Sequence, residues 1–187
     1  MASWQRIARR LRVPLGFVFA GAYIWLARPS AYSIMIGSMI AVLGLLVRAF
    51  ASGHVKKNEV LAVSGPYAYT RNPLYFGSLV LAAGFAVAAR SWWVALIAVT
   101  MFFAIYLPVI RSEEEFLRTS FPEFEDYARR VPRLLPRLFP RLRAHPSSQN
   151  SFSWHLYWKH REYNAALGAA FMIAALAAKS IWLSRSR

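Results

Sequence analysis

The sequence predicts an all-α, polytopic membrane protein of about five transmembrane helices, two of them a tight hairpin. Three observations predict it. Of the 187 residues, 57% are hydrophobic and 16% aromatic. The apolar residues fall in runs approaching bilayer length rather than in short amphipathic periods. The formal charge of +15, from 23 Lys and Arg against 8 Asp and Glu, gathers between those runs. A soluble nucleic-acid binder would share the charge but not the runs, so the expected partner is the lipid bilayer and no nucleic acid. The absence of cysteine excludes disulfides, thiolate metal sites and a cysteine nucleophile.

A crossing needs about 20 apolar residues. Five runs qualify or nearly so: Val13 to Ala27, Tyr32 to Ala51, Leu74 to Ala89, Trp92 to Ile110 and Ala165 to Leu183. The first and third are short and require extension by flanking residues or local thinning of the bilayer. The first follows Arg6, Arg9, Arg10 and Arg12 as a signal peptide would, but no small-x-small site closes it and further spans follow, so it reads as an anchor helix. The last is rich in Ala, which favours close helix approach in lipid.

Lys and Arg set the orientation. With the N-terminus in the cytoplasm, Arg6 to Arg12, the Arg48 to Arg71 loop and the Arg111 to Arg161 stretch lie inside. Arg28, Arg90 and a basic tail of Lys179, Arg185 and Arg187 lie outside, the tail against the bias. The expected location is a bacterial inner membrane, multi-pass, with the polar segments rich in Lys and Arg facing the cytoplasm.

Two stretches interrupt the apolar pattern. Ser52 to Asn72 is a loop; Arg111 to Asn164 opens as an acidic-aromatic helix, "RSEEEFLRTSFPEFEDYARRV", and then carries prolines in "PRLLPRLFPRLRAHP" at a spacing no continuous helix tolerates. A boundary near Pro146 separates a core of residues 1–143, including the cytosolic segment 111–143, from a C-terminal unit of residues 147–187. That unit opens with Trp154, Tyr157, Trp158 and Lys159, the composition of an interfacial belt. His54, His145, His155 and His160 show no metal-ligand spacing and read as interfacial, so no metal site is expected.

Only Arg90 and Ser91 separate the third and fourth runs, which predicts an antiparallel hairpin. One helix rises about 24 Å from Leu74 and the other descends about 28 Å to Ile110, so both polar ends finish at one membrane face. Arg71, Asn72, Arg111, Glu113 and Glu114 should gather there, beside Tyr67, Tyr69 and Tyr75. Each residue alone has a simpler role: the arginines as snorkelling topology determinants, Arg111–Glu115 and Glu114–Arg118 as i,i+4 pairs on a solvated face, Pro73 as a first-turn proline, the tyrosines as belt residues. Together they suit a charged, zwitterionic ligand, because carboxylates beside a membrane are costly unless hydrated or paired.

"SGPYAYTRNPLYFG" and "EEEFLRTSFPEFEDYARRVPRLLP" resemble the isoprenylcysteine carboxyl methyltransferase and phospholipid N-methyltransferase superfamily of integral membrane enzymes. The pattern is carried by Gly65 and Tyr67; Arg71, Asn72, Pro73, Tyr75 and Gly77; Glu113, Glu114 and Leu117; Phe121; Tyr127; and Val131, Pro132, Arg133 and Pro136. The match covers about half of the chain. It implies S-adenosylmethionine as cofactor and S-adenosylhomocysteine as product, in a cofactor pocket at the cytosolic face that makes the active site face the cytoplasm, with Glu59 to Ala62 (Leu61 and Ala62 foremost), Tyr67, Arg71, Asn72, Pro73, Leu74, Tyr75, Glu113 and Glu114 along the cofactor. Arg71 and Glu113 are the residues implied for catalysis: Glu113 to pair with the cofactor ammonium and Arg71 to position the acceptor or the cofactor carboxylate.

Departures bear on the substrate. Asn72 stands where many members have His, excluding an imidazole mechanism there. Pro122 replaces a usual Gly, and the Phe121 to Tyr127 interval is one residue short. Val109 occupies the position of an Arg that prenylcysteine enzymes use for the substrate carboxylate, although Arg111 is near. The expected function is methyl transfer to a lipid-like or prenylated amphiphile; the alternative is phosphatidylethanolamine N-methylation. Two further alternatives are a sterol-type reductase using NADPH and a non-enzymatic basic scaffold binding anionic lipid through Arg129, Arg130, Arg133, Arg137, Arg141 and Arg143.

Overall fold

The computed structural model describes residues 14, 16–55, 60–139 and 152–186. The expected roles of Arg6 to Arg12, Glu59, Arg141, Arg143, His145 and the boundary near Pro146 lie outside the described residues. Helix α1 spans Gly16–Leu26. Ser30 then starts α2 (Ala31–Ser52) with a reciprocal capping box: its hydroxyl accepts from the Ser33 amide, and the Ser33 hydroxyl accepts from the Ser30 amide.

After a 3-10 turn at Gly65–Ala68, Pro73 opens α3 (Pro73–Ala89), its missing amide hydrogen costing nothing at a first helical position. Arg90 closes α3 in the left-handed conformation, φ +52°, and Ser91 starts the next helix at once. The predicted hairpin is therefore present. Helix α4 runs Trp92–Ser120, past the predicted end at Ile110 and out to the charged residues.

Pro108 explains an irregularity within α4. Lacking an amide hydrogen, it cannot bond the carbonyl of Ala104, and its ring crowds that carbonyl. The helix answers with a π-turn at Phe102–Tyr106, where the Leu107 amide donates to the Phe102 carbonyl. Short helix α5 (Phe124–Arg130) follows Pro122, α6 (Trp154–Lys159) lies beyond the proline-rich stretch, and α7 (Tyr163–Arg185) completes the chain.

Helices α2 and α3 meet backbone to backbone. A Cβ on Gly37 would stand 2.5 Å from the Gly84 carbonyl oxygen, and one on Gly44 would stand 2.7 Å from that of Gly77, so both glycine pairs face each other across an antiparallel seam. Lipid offers no hydrophobic drive between helices, so such dispersion contact is the main cohesive force. The Ser33 hydroxyl adds a hydrogen bond to the Ala88 carbonyl at 3.1 Å.

One buried cluster, around Tyr23, Ala27, Ala88, Ala89, Val94 and Leu176, joins α1, α3, α4 and α7. A second, of Phe124, Tyr127 and Val131 with Leu61, Leu117 and Phe121 against it, lies at the opposite end. Between them a broad apolar surface faces outward: Trp25, Met39, Leu46, Phe103, Phe171 and Trp182 are all exposed. Three helices, α2, α4 and α7, are long and apolar enough to cross a membrane, and α1 and α3 are shorter apolar helices. The chain is an integral membrane protein, all-helical among its described residues.

Candidate functional site

The hairpin brings the first turn of α3 against the polar extension of α4, and the chain after α5 folds back over both. The Arg71 amide donates to the Pro132 carbonyl at 2.9 Å, the Arg137 amide to the Tyr69 carbonyl at 3.1 Å, and the Thr70 hydroxyl to the Leu134 carbonyl at 2.9 Å. "TRN" and "PRLLPR" are thus laced together, because residues that cannot form a helix satisfy their backbone groups on each other.

Glu114 sits at the centre, 4% exposed. Its Oε2 accepts from Nε of Arg133 at 2.8 Å and lies 2.8 Å from Nη2, while its Oε1 lies 3.3 Å from both Nη1 of Arg71 and Nδ2 of Asn72. Asn72 also donates to the Arg133 carbonyl at 2.8 Å. A carboxylate this buried is tolerated because both of its oxygens are paired. Burial pushes the Arg71 guanidinium below its ordinary value, with Glu114 opposing. Arg71 Nε is buried without a hydrogen-bond partner among the described residues.

Glu113, one residue away, is exposed, and its Oε1 accepts from the Tyr75 hydroxyl at 2.8 Å. Tyr75 also meets the Tyr106 ring edge-on at 5.8 Å. Beneath this rim the Tyr127 hydroxyl donates to the Tyr67 carbonyl at 2.8 Å. Burial raises the pKa of the Tyr67 hydroxyl, and the Glu113 and Glu162 carboxylates raise it further. Burial likewise raises that of Tyr127, with Tyr67 adding to it and Arg71 opposing.

Of the residues singled out from sequence, Tyr67, Arg71, Asn72, Tyr75, Glu113 and Glu114 come together at this end. Pro73 is buried at the helix start, and Leu74 presents its carbonyl to Arg48 at 3.5 Å. Leu61 packs on the Phe124–Tyr127–Val131 cluster, and Ala62 beside it is half-buried. Arg111 departs from expectation: it is exposed and makes none of the cluster's ion pairs among the described residues. Arg118 pairs with Glu125 rather than with Glu114.

Sequence reasoning missed Arg133 as the counter-ion of Glu114 and missed Arg48 and Glu162 altogether. Arg48, on α2, bonds both Glu162 oxygens at 2.8 to 3.1 Å and also reaches the Ser78 hydroxyl, locking the start of α7 to α2 and α3. The place of Arg48 near the end of an apolar run, before the run closes at Ala51, was the available signal, since an arginine inside such a run requires a partner. Among the described residues no group of His, Cys, Asp or Glu is placed to hold a metal ion. Two open clefts, of about 590 and 990 Å³, lie at the far end of the molecule around Arg28 and Arg90.

Similarity to known proteins centres on the same region. Relatives include the cobalt-zinc-cadmium resistance protein CzcN of Cupriavidus metallidurans, 41% identical over 99 residues, 52% of this chain and 45% of that protein. The nickel-cobalt-cadmium resistance protein NccN of Alcaligenes xylosoxydans xylosoxydans is 40% identical over 99 residues, 52% of this chain and 46% of that protein. The match thus spans under half the length of each relative. No solved structure matches. Residues 32–123 match the phospholipid methyltransferase family, from α2 through the hairpin to Glu113 and Glu114, and this stretch belongs to the membrane methyltransferase superfamily of which that family is part.

Proposed function

We propose that the chain is an S-adenosylmethionine-dependent methyltransferase acting on a lipid-like or prenylated amphiphile that reaches the site sideways from the bilayer. The observation that carries this reading is the unequal condition of two adjacent acids. Glu114 is consumed by Arg71, Asn72 and Arg133, whereas Glu113 stands exposed at the rim with a tyrosine hydroxyl on one oxygen. An exposed, oriented carboxylate suits an ammonium, and a partly buried guanidinium with an unpartnered Nε suits an incoming carboxylate.

These donors fit the two ends of an amino-acid-bearing cofactor, with Glu113 toward its ammonium, Arg71 toward its carboxylate, and Tyr67 and Tyr75 as aromatic surface for its adenine. Bound there, the cofactor supplies a methyl group activated by a sulfonium. The protein contributes alignment and exclusion of water: Tyr75 orients Glu113, Glu114 fixes Arg71, and the segment after Val131 covers the base of the cluster. An amine acceptor must also lose a proton, and the rim carboxylates are the groups able to take it.

Val109 favours the second reading, methylation of an amine headgroup as in phosphatidylethanolamine. It is buried at 6% exposure where a carboxylate acceptor would need a cation. Five crossings, with α1 and α3 in locally thinned bilayer and the site facing the cytoplasm, complete the proposal.

The test uses the full chain in detergent. S-adenosylhomocysteine should bind while NADPH does not, and label from S-adenosylmethionine should enter a membrane lipid extract. Binding of NADPH with no affinity for S-adenosylhomocysteine would replace the proposal with a reductase. Label recovered in phosphatidylethanolamine products would select the amine reading.

A further inference from the structure

The end of the molecule remote from Glu114 has an unbalanced charge. Arg28, Arg90, Lys179 and Arg185 lie there, whereas the described carboxylates, Glu113, Glu114, Glu115, Glu123, Glu125, Asp126 and Glu162, all lie at or next to the other end. This basic group opposes the usual bias of Lys and Arg toward the cytoplasmic side. Lys179 alone is accounted for: its ammonium donates to the Ile24 and Trp25 carbonyls at 2.6 and 3.0 Å, closing the C-terminal end of α1.

Arg28 and Arg90 are held side by side by the backbone. The Arg28 amide donates to the Ala89 carbonyl at 2.8 Å, and Arg90 takes its left-handed conformation at the next residue. Both side chains are exposed and border two clefts at once. One cleft, of about 590 Å³, is otherwise lined by Trp25, Leu26, Ser91, Trp92 and Trp93. The other, of about 990 Å³, has Ser30, Ser180 and Ser184 among its walls. Neither contains a carboxylate. Two guanidiniums between a tryptophan wall and a hydroxyl wall complement an anionic head joined to an apolar body. Trp25, Trp92 and Trp93 are exposed by 80, 90 and 65%, which places the clefts at interfacial depth in the bilayer.

We propose that the Arg28–Arg90 clefts bind an anionic phospholipid of the leaflet opposite the candidate active site, with its phosphate between the two guanidiniums and its chains along the tryptophans. This site does not depend on the methyltransferase reading. It offsets the mutual repulsion of the basic group and anchors the α1–α2 loop against the α3–α4 turn.

The test titrates the detergent-solubilised full chain with dioleoylphosphatidylglycerol, dioleoylphosphatidylcholine and inorganic phosphate, reading bound lipid by native mass spectrometry. Phosphatidylglycerol should be retained, phosphatidylcholine should bind at least tenfold more weakly, and inorganic phosphate should compete only at high concentration. Arg28→Gln/Arg90→Asn should weaken phosphatidylglycerol at least tenfold; Asn is chosen because it tolerates the left-handed backbone. Arg118→Gln/Arg161→Asn, at the other end, should leave binding unchanged. In wild-type protein, raising salt from about 0.1 M to about 1 M should release the lipid, which keeps the test valid should the double variant fail to fold. Equal retention of both lipids, salt-insensitive binding, competition by phosphate as strong as by lipid, or equal loss in the two double variants would each overturn the proposal.

Discussion

Glu114 and Arg133 face each other across a chain reversal of nineteen residues, with the Glu114 Oε2 2.8 Å from both Nε and Nη2 of Arg133. The contact closes the segment after α5 over the start of α3. Glu114→Ala would leave the partly buried Arg71 without its counter-charge. The expected loss of stability is ~3 kcal/mol, at the low end for breaking a buried pair because Arg133 is 44% exposed. Thermal unfolding in detergent checks this.

Glu113→Gln separates binding from folding. Glu113 is exposed and its tyrosine hydrogen bond survives in the amide, so unfolding should shift by no more than ~0.5 kcal/mol. Affinity for S-adenosylhomocysteine should fall about tenfold, or ~1.4 kcal/mol. Calorimetric titration of both proteins decides; an unchanged affinity would remove Glu113 from the cofactor site.

The hairpin, its shared polar face and the two halves of the motif were legible in the sequence, because run length, a two-residue turn and local spacing encode them. Glu162 as the partner of Arg48 and Arg133 as a partner of Glu114 were not. Glu162 is 114 residues from Arg48, and Arg133 follows a stretch whose prolines report only what it cannot form. Nor did the spacing of Glu113 and Glu114 reveal which is interior, since that depends on helix phase rather than composition.

Glu162→Gln should loosen the C-terminal helix selectively. The Arg48 and Glu162 side chains are 21 and 12% exposed, so removing one charge should cost ~2 kcal/mol, below the range for fully buried pairs. Hydrogen exchange should rise in α6 and the first turns of α7 before the α2–α3 seam is affected.

Gly84→Val tests that seam. Even a Cβ there would lie 2.6 Å from the Ala41 amide nitrogen, a backbone atom that cannot swing aside. Overpacking of ~3 kcal/mol or more is expected, read as a lowered Tm. Gly168→Val, where no atom lies within 4 Å, should be tolerated.

Alkaline pH should destabilise the site end first. Burial raises the pKa of Tyr67 and of Tyr127, so folding favours their protonated forms. A raised folded pKa gives stability that is complete below the unfolded value of about 10 and is lost as pH climbs from there toward the folded value. Tm measured from pH 8 to 11 should fall above about pH 10 in wild type, and less steeply in Tyr67→Phe, which removes one of the two titrating groups.

The widened turn at Phe102–Tyr106 has an effect two helical turns further on. A regular α-helix advances about 100° per residue, so accommodating one additional peptide unit re-aims everything downstream by about that angle. Since Glu113 and Glu114 are neighbours, the same angle separates their side chains. The proline that disturbs α4 therefore acts as an indexing device, selecting which of two chemically identical acids is spent as an interior counter-ion and which is left at the surface for a ligand.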